Sequence, residues 1–218
     1  MKWYSYIILT AVFSLFSVFS VNRYSDHSAD LLRIAYLEKT ALKEFSFDPF
    51  PLFVMLCSLM NIILAIVFIT SNIPQRDLII SRFNSRKQYF VFIIKKQVRY
   101  TLICSTTETA FPALYTILLC RFSNIFNIAA IYLLRQFVLL YLSAGISLIL
   151  RRSLNAGAAD IVGALLVSIL IMADVFANIP AALIDLSGSN MISAGCEAGV
   201  CMIGTWGCFE LFKKTKEI

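Results

Sequence analysis

The chain has 218 residues, of which 59% are hydrophobic and 15% charged, and a formal net charge of +6. Its mean hydropathy of +0.79 lies outside the range of soluble globular domains and calls for a bilayer as solvent. With no soluble region to carry the positive charge, the excess reads as a topology signal and as attraction to anionic lipid heads, which argues against a nucleic-acid-binding role.

Apolar runs of about 20 residues, enough to cross ~30 Å of hydrocarbon as a helix, can be drawn six times. They cover 3–21, 50–72, 100–120, 128–150, 159–181 and 191–212. The expected fold is all-α: one polytopic transmembrane domain spanning 1–218. The first run follows Lys2 and has a Ser-rich end near Ser17 and Ser20, as a signal peptide would. It is longer than a usual signal core and lacks an A-x-A cleavage site, so it is expected to be an anchor.

Between the first two runs, Leu31, Leu32, Ala35, Leu42 and Phe45 recur at helical spacing among mixed charges. The pattern over 28–45 fits an external amphipathic helix, with an ordered connector as the alternative. Asp48-Pro49-Phe50-Pro51 ends it, because two prolines remove donors and push their predecessors out of the α region.

The segment 73–99 holds seven basic residues, Arg76, Arg82, Arg86, Lys87, Lys95, Lys96 and Arg99, against the single acid Asp77. Basic residues in short loops stay on the cytoplasmic side during insertion, so this loop is expected in the cytosol. With the amino terminus also inside, the inner segments carry 13 basic residues and the outer ones five, with Arg135 inside a span. Both termini are then cytoplasmic. After Pro74, the residues Ile79, Ile80, Phe83, Phe90 and Ile94 follow a roughly 3.6-residue period, which predicts a short amphipathic helix lying against the membrane.

The third run contains the polar stretch Ser105-Thr106-Thr107-Glu108-Thr109, with Pro112 one turn later to kink it. An ionisable group at the bilayer centre costs roughly 2.5 to 3.5 kcal/mol on insertion scales and must face protein or water. Glu108, Arg135, Asp160, Asp174 and Glu197 are the candidates. They either line a path for a cationic or amphipathic peptide or form internal ion pairs, with Arg135 against Glu108, Asp174 or Glu197. Asp160 is expected near Arg151 and Arg152 at the cytosolic headgroup level. In the last run, Gly195 and Gly199 lie four apart and Ala194 and Ala198 repeat the spacing, which predicts close helix contact.

Within the basic loop stands Ser81-Arg82-Phe83-Asn84-Ser85-Arg86-Lys87-Gln88-Tyr89. This stretch, the six-span order and the sizeable first outer loop resemble the permease subunit of small Gram-positive ABC-2-type exporters, a group associated with bacteriocin or lantibiotic export and self-protection. In that family a basic segment after the second span fits a groove on the ATP-binding subunit, and Arg82, Phe83, Ser85 and Arg86 match it. The resemblance implies that 76–89, including Arg76, Asp77 and Tyr89, carries the motion of partner ATPases to the helices. It implies ATP and Mg on those partners, no cofactor on this chain, and a second permease chain, identical or related.

The residues themselves contain no Walker A segment, and their lone histidine, His27, lies outside the spans. No Ser-His or Cys-His pair supports nucleophilic catalysis, and no metal site is expected. The six cysteines, Cys57, Cys104, Cys120, Cys196, Cys201 and Cys208, lack C-x-x-C spacing and read as apolar packing residues. The chain is therefore expected to be a permease and no enzyme. The alternatives are a non-transporting membrane protein that sequesters a toxin and a proton-coupled transporter acting through Glu108 or Asp174.

Overall fold

The structure is a computed structural model that describes residues 2–21, 32, 33, 35, 36, 49–73, 83, 86–119, 125–151, 154–177 and 199. Among these residues it is all-helical, with five helices: α1 (Trp3–Val21), α2 (Pro49–Asn72), α3 (Arg86–Leu119), α4 (Ile125–Leu150) and α5 (Ala156–Ala177). Two prolines, Pro49 and Pro51, open α2. The first turn tolerates them because its N–H groups have no partner within the helix.

α2 occupies the centre and touches each of the other four helices. It supplies Val54, Leu59, Ile62, Ala65, Ile66, Phe68 and Ile69 to the apolar core, with Ile73 just past its end, and α1 joins through Tyr6, α3 through Cys104, α4 through Leu139, Leu140 and Ala144, and α5 through Ala164. The Phe68 ring stacks on Tyr6 at 4.7 Å and meets Tyr100 edge-on at 5.9 Å, so three helices share one aromatic contact.

The outer helices are polar inside and apolar outside. On α1 the buried stripe is Tyr6, Thr10, Ser14 and Ser17, while Ile8, Leu15, Phe16 and Phe19 face outward. On α3, Gln97, Thr101, Ser105, Glu108, Thr109 and Thr116 are buried, and Leu102, Leu114 and Leu118 are exposed. In water such a surface would be a liability; in lipid it is the favourable solution, since only backbone groups bonded within a helix and apolar side chains can face hydrocarbon.

Two helical segments, Trp3–Ser20 and Ile125–Leu150, are long and apolar enough to cross a membrane. The apolar stretches Leu56–Asn72 of α2 and Ala156–Leu166 of α5 are shorter, so the described residues do not carry all six predicted crossings. The predicted sixth run lies outside the described residues apart from Gly199.

One expectation is corrected here. The basic segment does not form a separate helix along the membrane from Arg86 onward: 86–99 are the opening turns of α3, continuous with the predicted third span. Their charges mark a side of the membrane but do not break a helix, since Lys, Arg and Gln are good helix formers. The helix packing expected at Gly195 and Gly199 falls on residues outside the described ones apart from Gly199 itself. A close contact at a small residue is present at Gly163 of α5, where a Cβ would collide with Ser147 Oγ of α4 and lie 3.2 Å from its Cβ.

Candidate functional site

Near Glu108 the polar stripes of α1 and α3 meet α2 and α4 around a cavity of about 40 Å³. Ser14 and Ser17 come from α1, Ser58 and Asn61 from α2, Glu108 and Thr109 from α3, and Gln136 from α4. A water-sized guest needs roughly 10–15 Å³, so the space admits a few such guests and no peptide.

Glu108 is 5% exposed. Its carboxylate accepts from Tyr6 Oη on α1 at 3.4 Å and from Gln136 Nε2 on α4. Of the three partners expected for Arg135, Glu108 is met from α4 by Gln136, the next residue, whose side chain is turned about 100° away along the helix, and Asp174 and Glu197 have no described side chains. Arg135 is itself buried, at 3% exposure. Tyr6 also lies 3.2 Å from Thr107 Oγ1.

On the other side of the cavity, Asn61 Nδ2 donates to Ser14 Oγ at 3.3 Å. Asn61 Oδ1 and Ser17 Oγ are buried without a hydrogen-bond partner. The segment between α1 and α2 closes one wall: Tyr36 Oη donates to the Thr109 carbonyl at 2.7 Å, Ser58 Oγ donates to the Ala35 carbonyl at 3.0 Å, and the Tyr36 ring stacks on Tyr132 at 4.5 Å. Burial pushes the Tyr36 phenol above its ordinary range, so it remains a donor. Leu32 and Ala35 are buried against the helices. The described part of the predicted external segment 28–45 is thus packed into the bundle.

Pro112 lies inside α3 and lines the same cavity. Having no N–H, it leaves the carbonyl of Glu108 without its helical partner. The neighbouring carbonyl, that of Thr109, is the one that receives Tyr36.

A second polar cluster joins the carboxy-terminal end of α2 to the α4–α5 connection. Arg151 donates from Nε to Asp160 Oδ1 at 3.1 Å and from Nη2 to Oδ2 at 2.6 Å, while Nη1 donates to the Thr70 carbonyl at 2.8 Å. Thr70 belongs to the last turn of α2, where a cation is favoured, and its carbonyl also accepts from Ile73 N–H at 3.4 Å. Asp160 sits just past the first turn of α5. One guanidinium thus answers a carbonyl at the end of α2 and a carboxylate of α5.

The remaining predicted site residues divide by location. Phe83 packs against Tyr89 at 5.7 Å and Phe92 at 5.2 Å, and Tyr89 is buried. Arg86 and Asp174 are placed as helical positions only, in α3 and α5. Arg76, Asp77, Arg82, Ser85, Gly195 and Glu197 lie outside the described residues. Glu108 and Asp160 belong to separate clusters. Tyr6, Tyr36, Asn61 and Gln136 were not among the predicted site residues. The spacing of Tyr6, Thr10, Ser14 and Ser17 marks one polar face of the first run and Asn61 interrupts an apolar one, whereas nothing local singles out Tyr36 or Gln136.

Neither Cys57 nor Cys104, both buried thiols, is paired in a disulfide. Among the described residues no three His, Cys, Asp or Glu side chains gather as a metal site. No family model, curated protein or solved structure matches this chain.

Proposed function

We propose that this chain is the multi-pass transmembrane subunit of an ATP-driven exporter in the plasma membrane, with six crossings and both termini cytoplasmic. It would move an amphipathic peptide or a lipid-like molecule. ATP and Mg bind separate ATPase subunits, and a second permease chain completes the pathway.

The observation that carries this reading is α3. Its 34 residues run without a break from Arg86 to Leu119. At 1.5 Å per residue the helix is about 51 Å long, against ~30 Å of hydrocarbon. The surplus matches the opening turns, where Arg86, Lys87, Lys95, Lys96 and Arg99 stand with no acid before Glu108. A partner pushing on 76–89 therefore has a rigid lever leading to a buried carboxylate and a polar cavity. The resemblance of Arg82-Phe83-Asn84-Ser85-Arg86 to the ATPase-docking segment of ABC-2 permeases gives that partner its class.

The small cavity favours a second reading. A space of about 40 Å³ is far below the size of a peptide, as suits a membrane protein that sequesters a toxin or braces a partner without transporting anything.

The test is purification of the tagged chain from its own membranes in mild detergent, followed by an ATPase assay of whatever accompanies it. A stoichiometric ATPase, lost when Arg82→Glu and Arg86→Glu are combined while the chain stays folded, is the expected result. A folded, functional chain with no ATPase, indifferent to those reversals, would leave the sequestering reading.

A further inference from the structure

We propose that the cavity beside Glu108 binds one small monovalent cation, for which sodium is the probe. The proposal stands apart from the transport reading, because it concerns only what the four helices hold between them.

The cavity offers several oxygen acceptors, and its hydroxyls can turn their protons aside to present a lone pair to a cation. Tyr36 spends its proton on the Thr109 carbonyl, Ser58 on the Ala35 carbonyl and Thr109 on the Ser105 carbonyl, while Asn61 Nδ2 is taken by Ser14. Left over are Asn61 Oδ1 and Ser17 Oγ, on residues 7% and 2% exposed and each without a hydrogen-bond partner. The Glu108 carbonyl, deprived of its helical N–H by Pro112, adds another acceptor. A buried acceptor without a partner is costly, and a guest that satisfies several at once is correspondingly favoured.

Charge selects the guest. The groups that reach the Glu108 carboxylate, Tyr6 and Gln136, are neutral. A buried carboxylate gains most from a compensating positive charge, and one carboxylate balances one unit. A divalent ion ordinarily takes more carboxylates or several retained waters, and this cavity has one acid and little room. A desolvated sodium ion, with or without one water, fits the volume.

The experiment uses the purified full chain in detergent. Thermal unfolding is followed in sodium chloride and in choline chloride at equal ionic strength, and 22Na+ binding is measured directly. The expected result is a saturable rise in Tm with sodium, together with saturable 22Na+ binding. Glu108→Gln, close in shape and still able to accept from Gln136, should abolish both. Ser17→Ala, a smaller change that guards against misfolding of the first variant, should weaken sodium affinity about five- to tenfold, the loss of one hydrogen-bond-sized contact. Equal Tm in the two salts, no saturable 22Na+ binding, or a sodium response that survives Glu108→Gln would overturn the proposal; a cavity holding only water gives those results. Unchanged affinity in Ser17→Ala would equally count against it.

Discussion

Two buried acids on neighbouring parts of this bundle are held in opposite ways. Asp160 faces a guanidinium in two-point contact, with Arg151 at 3.1 and 2.6 Å, and the same Arg151 reaches the Thr70 carbonyl. Glu108 faces a phenol and an amide. The first acid has its charge answered inside the chain and ties three helices together, which is what a fixed joint needs. The second has neutral neighbours and an adjoining cavity with unsatisfied oxygens, leaving room for a guest. A carboxylate in a membrane helix is therefore informative through its partners more than through its depth.

The largest expected effect tests the joint. The Arg151 and Asp160 side chains are 14% and 8% exposed, so Asp160→Ala strands a guanidinium with little water. It should cost about 3 kcal/mol or more, the scale for breaking one side of a buried pair. Thermal unfolding in detergent measures it. Replacing both partners, Arg151→Met with Asp160→Leu, should recover most of that loss, short of about 1 kcal/mol for the bond to Thr70. If the double replacement is as damaging as the single one, the cluster does more than satisfy its own charges.

Next comes the packing beside that joint. At Gly163 a Cβ would collide with Ser147 Oγ, and the Ser147 backbone is only slightly farther away, with Cα at 3.4 Å. Gly163→Leu should destabilise by about 2 kcal/mol through overpacking of the α4–α5 crossing. The substitution should leave sodium-dependent stabilisation intact, because Gly163 does not line the Glu108 cavity. Loss of both together would mean that the two regions are one mechanical unit.

On the cavity side, Tyr36→Phe removes the hydroxyl that satisfies the Thr109 carbonyl while keeping the ring stacked on Tyr132. The expected cost is about 1 kcal/mol, one net hydrogen bond. Amide exchange should rise around Thr109 and Pro112 in the variant. Unchanged exchange there would show that Tyr36 does not close this wall.

The sequence made the helices readable, because long apolar runs need a continuous hydrogen-bonded backbone in lipid. The five described helices overlie predicted runs. α3 starts at Arg86, ahead of the predicted span at 100, because charge such as that of Lys95, Lys96 and Arg99 reports which side of the membrane a turn occupies and not where a helix starts. The acids were also readable, since Glu108 and Asp160 stand out in apolar surroundings. Their partners were harder to see. Tyr6 reaches Glu108 across 102 positions, and neutral residues such as Gln136 and Asn61 carry no local signal of what they face. Arg151 was within reach of inference only because Asp160 lies nine positions away.

The smallest expected effect is the one that separates the two acids most clearly. In choline chloride, Glu108→Gln should cost no stability, because Tyr6 and Gln136 can still bond to an amide and a buried carboxylate without a counter-charge is itself unfavourable. The difference from wild type should open only as sodium is added, when the wild-type chain gains a guest that the variant lacks. Asp160→Ala should cost the same in either salt, its missing counter-charge being covalently part of the chain. A loss near 3 kcal/mol for Glu108→Gln in choline chloride would make Glu108 a fixed structural pair like Asp160, and the contrast between the two acids would collapse.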